Sequence, residues 1–406
     1  MPVDRLAHLY SQEALCAQPS AIRDICALVA RPEMRSLAGG WPDPADFPTR
    51  TISRIFTELF AERGDRMLQY GSTEGLEELR RALSERMRAE GTAMSTPEDI
   101  LITHGSAQGM HLAAQIFIDR QDVIMVGLPT YFGGPGATRS RGGETAGVPV
   151  DRYGLNTEIL EWEVRKLKAA GKCVKGVYVI PNFQNPTGAT LSLKRRRHLM
   201  QLAEEYDLMI LEDDPYCDLR FEGERLPSLK SLDLSGRVIH LRSLSKIFTP
   251  GMRLGWAAGE SGAIRQMTVA KQFDDCATNT PAQYVLLEFI KRGLLDKQIK
   301  TNIAHYRAKR DFMLEQLERH FPEEVTWNRP EGGFFVFVHL PEDWDAGELF
   351  RSAVKKDVAF VTGQPFFVDG SGQNTFRLSY SQAALEDIEA AVGAIGALIK
   401  DRLVHV

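Results

Sequence analysis

One segment of the chain, SLSKIFTPGMRLGW (243–256), places a lysine where an amine can become a nucleophile. A buried strand is predicted to end at Ser243, and it delivers Ser245 and Lys246 into a Pro/Gly-rich loop with Arg253 seven residues later. A lysine among hydroxyls, near a second cation, has reasons for a lowered pKa, and its neutral amine can form a Schiff base with a carbonyl compound. The alternative is an ordinary solvated loop lysine, and this segment alone does not separate the two.

A second segment, LEDDPYCDLRF (211–221), follows a predicted strand and puts Asp213 and Tyr216 three residues apart. A carboxylate at such a strand end can pair with a protonated pyridine nitrogen, the pairing through which pyridoxal phosphate withdraws electrons. The phenol of Tyr216 can hydrogen-bond the hydroxyl of the same ring. The alternative is an acidic turn that closes a strand.

A third segment, PNFQNPTG (181–188), also follows a predicted strand. Pro186 disfavours the helical region for Asn185 and holds it in an extended or turn geometry. The amide of Asn185 can then donate to the same ring oxygen as Tyr216. A Pro-Gly turn before the next helix would explain Pro186 and Gly188, but it leaves Asn185 unexplained.

Gly105 and Ser106 lie just before a helical pattern in THGSAQGMHLAAQIF (103–117). Free N–H groups at a helix start bind phosphate, and Ser106 can add a hydroxyl; the alternative is an ordinary serine N-cap. Tyr131, in GLPTYFGG after the strand predicted at 122–126, can stack on a planar ring or simply belong to the core.

A further cation, Arg377, lies in a predicted strand within FRLSYS (376–381) near the C-terminus. A guanidinium group binds a substrate α-carboxylate through two parallel hydrogen bonds, which fix its orientation. The alternative for Arg377 is a surface ion pair.

The composition excludes several other classes of protein. The chain has 406 residues, 43% apolar, with a net charge of −5, which is typical of soluble proteins of two or three domains. An acidic chain offers no electrostatic footprint for nucleic acid, and we expect neither a signal peptide nor a membrane span. The five scattered cysteines have neither metal nor redox spacing, and they favour a cytoplasmic protein.

The elements that must position these side chains alternate along the chain. The predicted strands lie at 122–126, 174–180, 207–213 and 237–243, and the predicted helices at 106–118, 157–170 and 192–206. This alternation predicts a parallel sheet covered by helices on both faces. Ligands bind at the carboxyl ends of the strands in such sheets, where the segments above begin.

Beyond Ser261 the pattern changes. Two helical stretches, about 262–292 and 297–320, run almost without interruption and are followed by short strands and a helix over 383–402. Helices grouped with a few strands indicate a smaller α+β domain. We expect three parts: an N-terminal arm that belongs partly to the small domain (1–48), a large domain (49–292) and a C-terminal small domain (293–406).

In this chain order the segments resemble the fold type I pyridoxal-phosphate aminotransferases of class I/II. The similarity extends from about Ser20 to the C-terminus, and the segments 19–25, 36–48 and 68–75 are most similar to the 2-aminoadipate/kynurenine aminotransferase-like branch. The resemblance implies an α/β large domain with a mainly parallel seven-stranded sheet, a smaller α+β domain, pyridoxal phosphate as cofactor, no metal, and a homodimer with shared active sites.

The resemblance also implies a role for each residue. Lys246, Asp213 and Tyr216 would be catalytic: Lys246 binds the cofactor aldehyde as a Schiff base, and Asp213 holds the ring nitrogen. The other cofactor contacts would be Asn185 and Tyr216 at the ring hydroxyl, Tyr131 on the ring face, and Ser106, Ala107, Ser243, Ser245 and Arg253 around the phosphate. Ala107 stands where related enzymes often have Gln or Ser, so one side-chain contact would be missing.

Tyr70 would reach the phosphate bound in the partner subunit. The substrate side would be formed by Arg377, Asn185, Gly39, Gly40 and Arg23. Arg23 would pair with a distal carboxylate of the donor, or it merely pairs within an amphipathic arm.

The activity implied is transfer of an amino group from an L-amino acid of the 2-aminoadipate, glutamate or aromatic type to a 2-oxo acid such as 2-oxoglutarate, with ping-pong kinetics. Another reaction on the same cofactor, by a β-lyase, decarboxylase or racemase, stays open because the cofactor motifs do not decide which bond at Cα breaks. A regulator that binds the cofactor is a further alternative. Such regulators carry a DNA-binding domain in front of this pattern, which here begins near residue 20.

Overall fold

Short buried segments rich in Val, Ile and Leu form the central strands of the large sheet, as their composition predicts. A computed structural model describes residues 5–11, 33–92 and 95–404. In chain order the strands are Arg35–Ser36 (β1), Ile100–Thr103 (β2), Val123–Leu128 (β3), Glu144–Asp151 (β4), Gly154–Leu155 (β5), Val174–Val179 (β6), Met209–Asp213 (β7), Val238–Ser243 (β8), Gly255–Ala258 (β9), Thr326–Trp327 (β10), Phe335–His339 (β11), Val358–Ala359 (β12), Val361–Thr362 (β13) and Thr375–Ser379 (β14).

The α-helices of the described residues alternate with these strands in the first part of the chain. They are Thr49–Leu68 (α1), Glu77–Ala89 (α2), Gly105–Phe117 (α3), Gly133–Arg139 (α4), Thr157–Ala169 (α5), Leu193–Glu205 (α6), Leu229–Leu232 (α7), Ser261–Asp274 (α8), Thr280–Lys291 (α9), Leu294–His320 (α10), Ala346–Val354 (α11) and Leu385–Val404 (α12). Among the described helices, none combines the length and the apolar character needed to cross a bilayer.

The large sheet has eight strands in the order β2-β9-β8-β7-β6-β3-β4-β5. The central pairs, from β8 through β7, β6 and β3 to β4, are parallel, whereas β9 runs antiparallel between β8 and β2. The expectation of a mainly parallel sheet is therefore confirmed. It has one strand more than expected because the two-residue β5 forms a short hairpin with the end of β4.

Helices cover both faces of this sheet. On one face, α5 and α6 bury Leu160, Val164 and Leu199, and on the other, α3 and α8 bury Leu112 and Met267. Each fully buried side chain of this size contributes about 1.5–3 kcal/mol to folding. This packing fixes the carboxyl ends of β3, β6, β7 and β8 along one edge.

The predicted helical stretch over 262–292 is wrong as a single element, since α8 ends at Asp274 and α9 begins at Thr280. Cys276 has a positive φ of 61°, which breaks the helix. The side chain of Asn279 then accepts a hydrogen bond from Ala282 N at 2.8 Å and caps α9, and Pro281 lies in the first turn.

The C-terminal part holds a four-stranded sheet in the order β10-β11-β14-β13. β11 and β14 are antiparallel, with Phe337 opposite Arg377, so the register places the Arg377 guanidinium beside buried aromatic side chains. β1 pairs with β12 in a parallel two-stranded sheet, which ties the segment before Leu37 to the C-terminal part of the chain.

Candidate active site

A cavity of about 280 Å³ lies at the carboxyl ends of β3, β6, β7 and β8. Most of the residues predicted for the site line it. They are Gly39, Gly40, Ser106, Ala107, Tyr131, Asn185, Asp213, Tyr216, Ser243, Ser245, Lys246, Arg253 and Arg377. Tyr70 does not line this cavity and is 87% exposed. Arg23 lies outside the described residues.

Lys246 stands three residues after the end of β8, and its amine Nζ donates a hydrogen bond to the carbonyl oxygen of Gly40 at 2.9 Å. Burial, together with the nearby positive charges of Arg377 and Arg253, lowers the pKa of Lys246 to about 8. A useful fraction of this amine is therefore neutral near neutral pH. A neutral amine can attack a carbonyl carbon or accept a proton.

Asp213 is the last residue of β7 and is only 2% exposed. Its Oδ2 accepts a hydrogen bond from the hydroxyl of Tyr178 at 2.8 Å, whereas its Oδ1 accepts none from the described residues. Burial raises the pKa of Asp213 to about 6, with a contribution from the negative charge of Asp214. At neutral pH the cavity wall therefore carries a buried carboxylate oxygen to which no described residue donates a hydrogen bond. Such an oxygen is the acceptor that a protonated ring nitrogen needs.

The start of α3 forms one end of the cavity, where Gly105, Ser106 and Ala107 line the wall. Arg253 faces this helix start, with Nη1 3.5 Å from Ser245 Oγ and Nη2 3.3 Å from the carbonyl oxygen of His104. A helix N-terminus, hydroxyl groups and a guanidinium group together form a site for a phosphate group.

Gly105 makes this close approach possible. Its φ is +74°, which non-glycine residues rarely adopt, and a Cβ here would lie 2.9 Å from Arg253 Nη2. The sequence therefore needs glycine at this position to bring the helix start and the guanidinium group together.

Arg377 projects from β14 and is 2% exposed. Its Nη1 donates to Asn185 Oδ1 at 2.8 Å, its Nη2 donates to Ala38 O at 2.6 Å, and its guanidinium carbon lies 4.2 Å from the centroid of the Phe335 ring. Because Arg377 occupies the oxygen of the Asn185 amide, the two N–H groups of that amide are the ones left to donate to another acceptor.

Two tyrosines of the cavity stay protonated over the physiological range. Burial, with the charge of Asp213, raises the pKa of Tyr131 to about 12, and burial raises the pKa of Tyr216 well above its ordinary value. The Tyr216 ring packs edge-on against Phe334 and Phe335, with centroids 5.6 and 5.8 Å away. Its hydroxyl is therefore a hydrogen-bond donor held at a fixed place.

Gly39 and Gly40 form the wall opposite Lys246, and neither position has room for a side chain. A Cβ at Gly40 would lie 2.8 Å from the ring of Phe335, and one at Gly39 would lie 2.5 Å from the ring of Trp41. These contacts keep the backbone itself, rather than side chains, at the cavity surface.

Sequence reasoning missed several residues of the site. Tyr178 hydrogen-bonds Asp213 but stands in the apolar run VKGVYVI, where it is predicted to be core. Its one signal is a hydroxyl near the end of a strand that neighbours the strand of Asp213. The cavity wall also includes residues that were given no site role, namely Met110, Phe132, Ile180, Pro215 and Phe335.

Within the described residues, Glu212, Asp214 and His240 form the one group close enough to hold a metal ion. Glu212 already accepts hydrogen bonds from the backbone N–H groups of Leu229 and Lys230 at 2.8 and 2.9 Å. Both carboxylate oxygens of Asp214 lie 3.0 Å from the amide nitrogen of Asn182. The carboxylate oxygens of Glu212 and Asp214 therefore already accept hydrogen bonds within a buried polar network next to Asp213.

Comparison with known proteins agrees with this geometry. Residues 45–395 match the family Aminotransferase class I and II, and the chain belongs to this family. The protein is accordingly an enzyme that catalyses pyridoxal-phosphate-dependent transamination, on a fold type I frame.

Three relatives illustrate the similarity. Aromatic-amino-acid aminotransferase 1 of Thermococcus litoralis is 40% identical over 97% of this chain and 94% of that protein. The 2-aminoadipate transaminase of Thermus thermophilus is 37% identical over 95% of both chains. The crystal structure of Pyrococcus horikoshii kynurenine aminotransferase, in complex with PMP, is 38% identical and has a TM-score of 0.93, covering 98% of this chain and 99% of that chain.

The cavity fits the cofactor of this family. Pyridoxal phosphate requires three features, and the cavity has each of them. They are an acceptor for the ring nitrogen at Asp213 Oδ1, an amine at Lys246, and a phosphate-binding end formed by Gly105 and Arg253. When bound, this cofactor supplies an aldehyde to which an amino group attaches and a ring that withdraws electrons from Cα.

Proposed function

We propose that this enzyme moves the amino group of an L-amino acid with an aromatic or a distal acidic side chain to a 2-oxo acid such as 2-oxoglutarate. The observation that carries the proposal is that Lys246, Asp213 and Arg377 line one cavity. The aromatic, 2-aminoadipate and kynurenine aminotransferases among the relatives support the choice of donors. The products belong to amino-acid metabolism.

In this proposal the cofactor is held by residues already on the cavity wall. Asp213 Oδ1 would accept the ring N–H, and Tyr131 would stack on the ring face. Asn185 and Tyr216 would donate hydrogen bonds to the ring hydroxyl. Two observations support these roles: Arg377 occupies the oxygen of the Asn185 amide and leaves its N–H groups to donate, and Tyr216 stays protonated. The phosphate is held by Ser106, Ala107, Ser243, Ser245 and Arg253.

Lys246 would act twice, first as the amine that anchors the cofactor and then as the base. With its amine free, Nζ would remove the proton from the substrate Cα. A pKa of about 8 suits this task, since a base works best when its pKa lies near the working pH. Burial excludes bulk water, which would otherwise compete for the proton.

Arg377 would bind the α-carboxylate of the substrate. The hydrogen bonds to Asn185 and Ala38 and the face of Phe335 hold the guanidinium group in one orientation. The backbone at Gly39 and Gly40 would line the same side. A carboxylate fixed there would hold the substrate Cα in one place relative to Lys246.

The donor side chain would meet both apolar and cationic groups. Trp41 and Phe335 supply apolar surface to the cavity, which supports aromatic donors. Arg23 is proposed from the sequence to pair with a distal carboxylate. If it does, Arg23→Ala lowers kcat/KM for 2-aminoadipate and glutamate more than for phenylalanine. An equal loss for all three donors would assign Arg23 a structural role.

We also propose a homodimer that shares its active sites, because several large apolar side chains of the described residues are left exposed. Tyr70 is 87% exposed, Phe273 84% and Leu68 71%. Exposed apolar patches of this kind mark interfaces between proteins, and a second copy of the chain is the partner that fits the site. Tyr70 would reach the phosphate bound in the partner subunit.

Two further expectations stay proposals. We propose the division into an N-terminal arm (1–48), a large domain (49–292) and a small domain (293–406), which the pairing of β1 with β12 supports. We propose a cytoplasmic location, which the free thiols of Cys173, Cys217 and Cys276 support.

The decisive experiment is to reduce the purified holoenzyme with borohydride and map the modified peptide. We expect the label on Lys246, and a label on any other lysine would overturn the proposal. Amino donors are then screened against 2-oxoglutarate, with assays for the 2-oxo acid, ammonia, carbon dioxide and the D-isomer. Release of ammonia, carbon dioxide or the D-isomer as the main product would replace transamination by a lyase, decarboxylase or racemase activity.

A further inference from the structure

Tyr178 and Asp213 form a buried pair behind the cavity wall. The tyrosine hydroxyl donates to Asp213 Oδ2 at 2.8 Å, and the two residues are 1% and 2% exposed. Tyr178 lies on β6, beside β7, and it is not part of the cavity wall, whereas Asp213 is. The hydrogen bond therefore connects a residue of the cavity wall, Asp213, with a residue behind that wall, Tyr178.

This hydrogen bond fixes the rotation of the carboxylate group. With Oδ2 engaged by Tyr178, Oδ1 is the oxygen that accepts no hydrogen bond from the described residues. A carboxylate held at one oxygen by a rigid ring loses the freedom to turn about its Cβ–Cγ bond. The orientation in which Oδ1 is the available acceptor is therefore set before any ligand binds.

Tyr178 can act only as a donor to this carboxylate. Burial raises the pKa of its hydroxyl well above the ordinary value, and the negative charge of Asp213 raises it further. The hydroxyl thus keeps its proton, and once Asp213 is ionised, above about pH 6, the short contact has the sense O–H to O⁻. Hydrogen bonds to charged acceptors are about twice as strong as neutral ones.

Other ionisable groups also face Asp213. They are Asp214 directly after the same strand, His240 on β8, and Tyr131, Tyr216 and Lys246 around the cavity. The charge of Asp214 raises the pKa of Asp213, and His240 lowers it. Burial raises the pKa of Asp214, but the hydrogen bonds from Asn182 and the positive charge of Arg242 help to hold it at about 2, so Asp214 itself stays ionised.

The ring of Tyr178 is held in place by a glycine. A Cβ at Gly134 would lie 2.4 Å from the Tyr178 ring, so the ring packs directly on the backbone of α4. This helix follows the loop that carries Tyr131. Tyr178 therefore connects the carboxylate at one edge of the cofactor site with the loop that carries the stacking aromatic.

We propose that Tyr178 is a positioning residue, which acts through Asp213 to keep Oδ1 directed at the ring nitrogen of the bound cofactor. Gly134 provides the space that this arrangement needs. The inference deepens the proposed function and rests on the role given there to Asp213.

The first test is Tyr178→Phe, which removes one oxygen and keeps the ring. We expect the dissociation constant of pyridoxal phosphate, measured by equilibrium dialysis and absorbance, to rise roughly 10-fold. The acid limb of the pH titration of the cofactor absorbance should move to higher pH, because an Asp213 without its donor takes up a proton more easily. An unchanged dissociation constant and titration would overturn the inference.

The matched control is Tyr380→Phe. Tyr380 is also buried, and its hydroxyl donates to Gly333 O at 2.9 Å, but it does not line the cavity. We expect this variant to bind the cofactor as the wild type does. Gly134→Ala is a second variant with Tyr178 intact, and we expect it to weaken cofactor binding in the same direction.

A double-mutant cycle separates this inference from the proposed function. If Tyr178 acts through Asp213, Tyr178→Phe has little further effect in an Asp213→Asn background, so the two changes are not additive. Additive effects would show that Tyr178 acts by another route. Wild-type cofactor binding by Asp213→Asn alone would instead contradict the role of Asp213 in the proposed function.

Discussion

The amine of Lys246 lies 2.9 Å from the carbonyl oxygen of Gly40, although 206 positions separate the two residues along the chain. Two residues before Gly40, the carbonyl oxygen of Ala38 accepts a hydrogen bond from Arg377 at 2.6 Å. The two cations proposed to handle the amino group and the carboxylate of the substrate thus both bind the same short piece of backbone. A ligand that occupies Lys246 removes one of these two attachments.

The first prediction concerns Lys246→Ala. We expect kcat to fall at least about 10³-fold, because the variant lacks both the anchoring amine and the base. The cofactor should still bind without a covalent link, since Asp213 and Arg253 are intact. Steady-state kinetics and borohydride labelling check both points. Lys194→Ala, at a side chain that is 88% exposed, is the matched control and should behave as wild type.

The second prediction concerns Asp213 and pH. Its pKa of about 6 in the folded protein lies above the ordinary 3.8, so the unfolded chain binds fewer protons between these values. The stability of the cofactor-free protein therefore falls as pH rises from about 4 to 6. Asp213→Asn removes the free-energy cost of burying an ionised carboxylate. At pH 8 the change should therefore stabilise the cofactor-free protein by roughly 2–3 kcal/mol.

Urea denaturation of both proteins at pH 8 and at pH 4.5 measures this difference. The gain should shrink towards zero at the lower pH, where Asp213 is protonated in the wild type as well. A variant that is less stable than the wild type at pH 8 would show that the buried charge is compensated by other groups. The same variant should bind pyridoxal phosphate more weakly.

The third prediction concerns Arg377→Lys. The ammonium group keeps the charge but loses the planar pair of donors, so kcat/KM for amino acids should fall roughly 10- to 100-fold. The half-reaction with an amine that lacks a carboxylate should change little. Comparing the two substrates by stopped-flow absorbance provides the measurement. Equal losses for both would indicate that Arg377 mainly holds Asn185 in place.

The fourth prediction concerns Phe273→Glu. This side chain is 84% exposed on α8, and a charge there should split the proposed dimer and lower activity. Sedimentation velocity measures the association state. Lys194→Glu, at a polar side chain that is 88% exposed, is the control and should leave both the dimer and the activity intact. A wild-type protein that sediments as a monomer would refute the dimer.

The sequence was sufficient for the strands that carry the site. β7 and β8 are mainly apolar runs that end in polar residues, and β3 and β6 are mainly apolar runs followed by the loops that carry Tyr131 and Asn185. Their approximate extent and their functional ends are therefore visible in the sequence. β4 was missed because Pro149 argues against a central strand. A proline is tolerated in β4 because this strand lies near the sheet edge, where only Val150 and Asp151 pair with β5.

The break between α8 and α9 was missed although its signal is local. The Asn279-Thr280-Pro281 run is a typical helix start, but the apolar pattern continues on both sides of it and hid the boundary. Contacts between distant segments could not be predicted in the same way. The pairing of Tyr178 with Asp213 depends on β6 lying beside β7, and the bond from Lys246 to Gly40 depends on how two distant segments fold together.

The left-handed backbone at Gly105 limits how this enzyme can be engineered. Any other amino acid there would push the Arg253 guanidinium group away, so codon 105 should stay fixed in a randomised library. A variant designed to accept a dephosphorylated vitamer must instead be sought among changes at Arg253 and at the serine hydroxyls, where side chains can be exchanged without rebuilding the main chain.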